Sequence, residues 1–224
     1  MFSHRPEQLK ELVTYILDCA KSLGATDAAA EISEGSGLSV AVRKGEVETI
    51  EQNLDKQAGV TVFIGQRRGN AGTNDFSRPS LKAAVEAAFH IAQHTAEDDC
   101  AGLAEPELLE QHPKDLDLFH VWGIDAEQAV EIARRAERGA FAVSPRISNS
   151  DGATVSAQHS QFMLGTSNGF MGGYPVSRHY IACTPIASLN SRPGAPMQRD
   201  DWYSTSRVPE ELAKPEAIGA YAAS

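Results

Sequence analysis

The stretch VFIGQRRGNAGTND, Val62–Asp75, decides how the first part of this sequence folds. Its glycines and paired arginines admit two readings: a loop that cradles phosphate, or a β-hairpin. Gly65, Gly69 and Gly72 lack the G-x-x-x-x-G-K-[ST] spacing and the Lys-Ser/Thr pair of a P-loop, and they do not form G-x-G-x-x-G. A phosphate cradle also needs a helix N-terminus directly behind it, and NAGTND reads instead as a returning strand. The stretch therefore predicts a hairpin with arms Val60–Gly65 and Asn70–Asn74. Arg67 and Arg68 sit at its turn, presented to solvent, to an anion or to a partner's carboxylates.

Working outward, the same two-residue period holds on the N-terminal side. Leu38, Val40 and Val42 alternate with Ser39, Ala41 and Arg43, and Val60, Val62 and Ile64 alternate again. EGSG, RKGE and GQRRG separate these runs, which predicts consecutive antiparallel strands with one buried face. EVETIEQNLDKQ alternates poorly and predicts a bulged or edge strand. On either side the period becomes helical. Residues 5–23 place Leu9, Leu12, Val13, Ile16, Leu17, Ala20 and Leu23 on one face, with Pro6 in the first turn and Gly24 just past the end. Residues 77–94 place Leu81, Ala84, Val85, Ala88, Ile91 and Ala92 together, capped by Ser77 or Ser80.

TAEDDCAGLAEPELLEQHPKDLD, acidic and punctuated by proline, predicts a surface connector with at most one helical turn. A domain boundary is placed there, giving pieces 1–110 and 111–224. In the second piece a helix is predicted from Asp125, a plausible N-cap, to Phe141. Strand signals follow from Arg146, with hairpin turns expected at Asp151-Gly152 and Asn168-Gly169. The pattern turns helical again from Pro209, and the ending at KPEAIGAYAAS reads as a truncation before a further domain. The fold class is α+β: antiparallel sheets packed with helices, in two subdomains.

Composition weighs against several functions. A net charge of −10 opposes a duplex-binding module, which carries a basic footprint. The three cysteines, Cys19, Cys100 and Cys183, form no CxxC pair, so neither a zinc ribbon nor a disulfide scaffold is implied. Cys19 falls in an apolar helical pattern and reads as a buried, inert thiol. The N-terminus has no signal-peptide layout and no apolar run nears the ~20 residues that span a bilayer, so a cytoplasmic protein is expected.

His90 and His94 in HIAQH share the i, i+4 spacing of H-E-x-x-H zinc ligands, but Ile91 stands where the glutamate should and no third ligand can be named. Asp200-Asp201 and the run Glu97, Asp98, Asp99 read as solvated charges. No G-x-S-x-G elbow occurs. No catalytic, cofactor-binding or metal residue is therefore assigned; Arg67 and Arg68 are the candidate contact residues.

The order of motifs carries more than any one of them. VRKGEVETIEQNLDKQAGVTVFIGQRRGNAGTNDFSRPSLKAAVEAA resembles the N-terminal part of the TldD/PmbA (TldE) family, also called microcin-processing peptidases or modulators of DNA gyrase. AGLAEPELL, DLDLF, SNSDGATVSAQHSQFMLGTSNGF and RDDWYSTSR are similar to its PmbA/TldE side. The resemblance runs from about Leu9 to Ser224 and implies the N-terminal half of a longer chain. It further implies a TldD-like partner subunit, or a homodimer, with unfolded peptides as substrate and neither nucleic acid nor membrane as a direct partner. TldD-type subunits carry the zinc on an HExxxH helix; no HExxxH occurs here, so the resemblance implies no cofactor in this chain and zinc in the partner. The expected function is a PmbA/TldE-like subunit of a TldD-type zinc metalloprotease, contributing structure and substrate enclosure. Two alternatives are a regulatory module acting on DNA gyrase and an enzyme using Cys100 or Cys183 as nucleophile.

Overall fold

A computed structural model describes residues 2–110, 112–190 and 196–224. In chain order the elements are α1 (Pro6–Ser22), β1 (Asp27–Arg43), β2 (Glu46–Ile64), β3 (Arg67–Thr73), α2 (Arg78–His94), α3 (Ala126–Phe141), β4 (Ile147–Thr166), β5 (Met171–Gly172), β6 (Pro175–Ser188), β7 (Met197–Arg199), β8 (Trp202–Ser206) and α4 (Pro215–Ala222). The strands hydrogen-bond in the order β3-β2-β1-β4-β6-β7, with β5 on β4 and β8 on β6. The class is α+β, with four helices among the described residues against antiparallel strands, as the alternating periods predict.

The chain forms two compact units: residues 1–35, 54–116 and 160–175, and residues 36–53, 117–159 and 176–224. The two alternate along the sequence because β1, β2 and β4 each run from one into the other.

In the first unit, Leu9, Val13, Ile16 and Ala20 of α1 pack with Ala28, Ala30 and Ile32 of β1, Val60 and Val62 of β2, and Leu81, Val85 and Ala88 of α2. Full burial of each large side chain contributes about 1.5–3 kcal/mol. α1 ends as expected: Gly24 takes φ +92 and its N–H donates to the Lys21 carbonyl. Ile91, expected on the inner face of α2, is 47% exposed. The helix turns its small row Ala84, Ala88 and Ala92 inward instead, because β3 approaches it too closely for a larger side chain.

In the second unit, Ala129, Ala133, Ala136 and Ala140 of α3 pack on Val40 and Val42 of β1, Val155 of β4, Ile181 and Cys183 of β6, and Ile218 of α4. Asp125 caps α3, accepting the Gln128 N–H at 2.8 Å, while Gln128 Oε1 accepts the Asp125 N–H. Gly219 lies directly against the Ala136 carbonyl, so the backbones of α3 and α4 touch.

Three expected turns are placed differently. EGSG is not a break: β1 runs through it extended, and Gly37 lacks a Cβ where the Gln158 side chain lies. Asp151-Gly152 is a kink inside β4, not a hairpin; Gly152 has φ +115 and sits against the Val42 carbonyl, with its N–H held by Ser150 Oγ. Arg67 and Arg68 are not a turn either. The β2–β3 turn is Gly65-Gln66, with Gly65 at φ +56, and the register pairs Ile64 with Arg67 and Phe63 with Arg68. Two turns fall where the sequence places them. Lys44 (φ 52) and Gly45 (φ 78) join β1 to β2 in the two-residue form that needs positive φ at both positions, and Gly169 (φ 107) turns β4 into β5. The connector holds one 3₁₀ turn, Pro106–Leu108, and the helical pattern from Pro209 is a 3₁₀ turn followed by α4.

Candidate peptide- and partner-binding surfaces

The hairpin that opened the sequence reading is built by its glycines in three different ways. Gly65 supplies the left-handed turn. Gly69 lets α2 lie on β3, and Gly72 faces the Ala58 carbonyl. Because the arginines are in a strand, neighbours point to opposite faces. Arg67 is half-buried and reaches Glu97 at 3.2 Å and the Gln93 carbonyl at 3.5 Å. Its carboxylate partner thus belongs to this chain. Arg68 is exposed and forms no ion pair among the described residues, so of the two it is the one open to an outside partner.

Two further surfaces are open. All residues 46–57 of β2 are exposed, and β3 pairs only with residues 58–64. In the second unit, β8 pairs with β6 through Trp202–Ser206, and no other strand joins it among the described residues. Trp202 and Tyr203 of β8 are 51% and 55% exposed; Trp202 stacks on Tyr221, and Tyr203 on Tyr180. A cavity of about 450 Å³ in the first unit lies between α1, the start of β1 and the β4–β5 turn. Its lining includes Asp18, Lys21, Asp27, Ser167 and Phe170. Asp27 and Ser167 satisfy each other at 3.0 Å, and Ser167 Oγ accepts the Ala28 N–H.

The remaining candidates of the sequence reading hold no reactive geometry. His90 and His94 are exposed on α2, with His90 Nδ1 3.1 Å from Gln93 Oε1. Among the described residues no three His, Cys, Asp or Glu side chains are grouped so that they could hold a metal ion together. Asp200 accepts the Asp201 N–H at 2.8 Å in the exposed break between β7 and β8. Cys19 is half-buried, Cys100 exposed and Cys183 buried. Burial, reinforced by the Glu137 carboxylate and opposed by a backbone bond at Thr184, pushes the Cys183 thiol up to about 12. A thiol so placed carries almost no thiolate at neutral pH and is no nucleophile. In the native chain, iodoacetamide near neutral pH is expected to label Cys100 and spare Cys183 until denaturant is added, read by mass spectrometry.

Sequence reasoning missed six buried polar side chains among the described residues: Glu34, Glu137, Ser150, Gln161, Ser177 and His179. Glu137 Oε1 and Oε2 accept the N–H groups of Lys44 and Gly45 at 3.0 and 2.8 Å, closing the β1–β2 turn. Glu34 accepts from the His4 backbone N–H and from Gln161 Nε2, both at 3.1 Å, contacts the His4 ring, and lies 3.8 Å from Lys56 Nζ. A signal for Glu34 was present: it continues the inward phase of Ala28, Ala30 and Ile32.

The PmbA/TldA metallopeptidase domain 1 matches residues 28–92, and the PmbA/TldA metallopeptidase central domain matches 119–224. The chain belongs to the PmbA/TldD metallopeptidase family, on its PmbA/TldE-like side. It is 38% identical over 214 residues to the metalloprotease PmbA of Escherichia coli, and 35% identical over 213 residues to a PmbA homologue of Haemophilus influenzae. Each match covers 95% of this chain and 46% of the relative, so the chain spans about half the length of these curated relatives. Among solved structures it superposes on a Bacteroides thetaiotaomicron protein described as a modulator of DNA gyrase, with TM-score 0.86 at 19% identity, over 96% of this chain and 48% of that one. TldE from Thermococcus kodakarensis gives TM-score 0.73 at 14% identity, over 95% and 46%. These two likenesses show a shared fold. No helix of the described residues is long and apolar enough to cross a membrane.

Proposed function

We propose that this chain is a PmbA/TldE-like subunit that encloses and holds extended peptides for a zinc-bearing TldD-type partner, in the cytoplasm. The observation that carries the reading is the match to metalloprotease PmbA over 95% of this chain. The open margins support it: an unfolded peptide can add as a strand at β8, or along the exposed part of β2, through main-chain hydrogen bonds that tolerate many sequences. Arg68 and the exposed aromatics of β8 would supply side-chain contacts. The chemistry at the scissile bond would come from the partner's zinc.

The test is reconstitution with a TldD-type subunit and an unfolded peptide. Cleavage is expected only when both subunits are present, and it is expected to be lost when the partner's zinc is chelated. Zinc-dependent cleavage by the PmbA-like protein alone would overturn the non-catalytic assignment. A salt-sensitive DNA shift without proteolysis would favour a regulatory module acting on DNA gyrase. Arg68→Ala is expected to weaken subunit or peptide binding, and Arg67→Ala to act less, since Arg67 is already paired with Glu97.

A further inference from the structure

Unit two holds a row of four rings: Phe119, His159, His179 and Trp122. Successive centroids are 5.7, 5.4 and 5.4 Å apart, and each pair meets edge to face. His179 is fully buried on β6. Its Nε2 donates to the His120 carbonyl at 2.8 Å, so in the neutral ring Nδ1 is a bare acceptor. That Nδ1 and the Nε2 of His159 are both buried without a hydrogen-bond partner among the described residues.

The rings clamp one segment. Residues 118–122 lie along the start of β6: Ser177 N–H donates to the Leu118 carbonyl, His120 N–H to Ser177 Oγ, both at 2.9 Å, and His179 to the His120 carbonyl. Phe119 and Trp122, from the same segment, close the row at its two ends.

We propose that His159 and His179 form a protonation latch that holds segment 118–122 on β6 at neutral pH and releases it in mild acid. A proton added to His179 Nδ1 would create a buried, charged N–H with no acceptor. A proton added to His159 Nε2 would do the same one ring away. Either charge is relieved when the ring swings to water, and for His179 that movement breaks the bond to the His120 carbonyl.

The charged groups around the latch set its direction. Burial holds both imidazoles below their ordinary pKa, and the His179 ring further opposes a charge on His159. For His179, the bond to the His120 carbonyl and the Glu210 carboxylate pull the other way, and His120 adds repulsion. His120 itself lies 3.5 Å from the Asp117 carboxylate. Arg207, beyond β8, donates to the Ser177 carbonyl rather than to either ring. A depressed histidine pKa favours the closed form above the ordinary value and penalises it as pH falls below that value. The latch therefore opens between about pH 6.5 and the lower values of the buried rings.

Amide hydrogen exchange on the 224-residue chain tests this. After correction for intrinsic rates, amides of 118–122 are expected to exchange severalfold faster at pH 5.5 than at pH 7.5. His179→Gln keeps a donor for the His120 carbonyl and cannot titrate, so its response to pH should shrink to what His159 alone supplies, and the His159→Gln/His179→Gln double variant should not respond. A pH-independent native ratio, or a native-sized response retained in His179→Gln and His159→Gln, overturns the latch. If either variant fails to fold, ring titration of the unaltered chain by NMR decides. Amide shifts of 118–122 should share a midpoint with His179 or His159; a different midpoint overturns it.

Discussion

Gly69→Val is expected to destabilise the first unit by about 3 kcal/mol or more, at the top of the range for forcing atoms into packed space. A Cβ at Gly69 would stand 2.0 Å from the Ala88 carbonyl oxygen and 2.5 Å from the Ala92 nitrogen. Both are helix backbone atoms and cannot rotate away. β3 would have to separate from α2, uncovering Ala84, Ala88 and Ala92, or leave its pairing with Val62 of β2. Gly59→Ala is the control, because a Cβ there meets nothing within 4 Å and φ is not left-handed. It is expected to be neutral or to stabilise by about 0.4–1 kcal/mol. Urea unfolding followed by far-UV circular dichroism measures both; a Gly69→Val midpoint equal to the native one would show that helix and strand are not in backbone contact.

Removing the Glu34 carboxylate is the second large effect. Glu34→Ala is expected to cost about 3 kcal/mol, the low end for breaking a buried charged network. The residue is 3% exposed, and its loss strands the His4 N–H and Gln161 Nε2. Gln161 also donates to the His4 carbonyl at 2.7 Å, so the N-terminal segment ahead of α1 loosens with it. Burial alone would raise the Glu34 pKa, but bonds from His4 and Gln161 outweigh it and hold the carboxyl below its ordinary 4.5. A depressed carboxylate pKa stabilises the fold fully above that ordinary value, and the contribution is lost as pH falls through the folded value. The gap between native chain and Glu34→Ala should thus be widest at neutral pH and shrink in acid below pH 4.5. A gap constant down to pH 3 would mean that Glu34 acts through packing rather than charge.

These two positions illustrate what was legible. The sequence places Gly69 in a glycine-rich hairpin but not its reason, because a turn glycine and a glycine under a helix look alike in one dimension. The hairpin itself is readable from alternation, whereas its turn is two residues earlier than the arginines suggest. Turn position depends on which residue takes positive φ, and Gly65 and Gly69 are both able to. Asp151-Gly152 fails for a related reason: the dipeptide permits a reversal, but β4 has partners on both sides that hold it extended, and the glycine is used for a kink. Glu34 could have been found from its phase with Ala28, Ala30 and Ile32. Its partners could not, since His4 and Gln161 lie 30 and 127 residues away.

Local chemistry wrote the elements of this protein into its sequence: the proline starts of α1, α2 and α4, the Asp125 cap of α3 and the Gly24 end of α1, alternating strands, the Lys44-Gly45 and Asn168-Gly169 turns, and the order of motifs that marks the PmbA/TldD family. Periodicity, capping and positive φ act over a few residues, so one dimension suffices to read them. Only the tertiary structure decided which glycines admit a neighbouring backbone, that Arg67 spends its charge on Glu97 while Arg68 stays open, and that two histidines 20 residues apart on β4 and β6 share one buried row. Those outcomes depend on contacts between distant segments, where the free energy of burying a polar group is set by partners that no local pattern specifies.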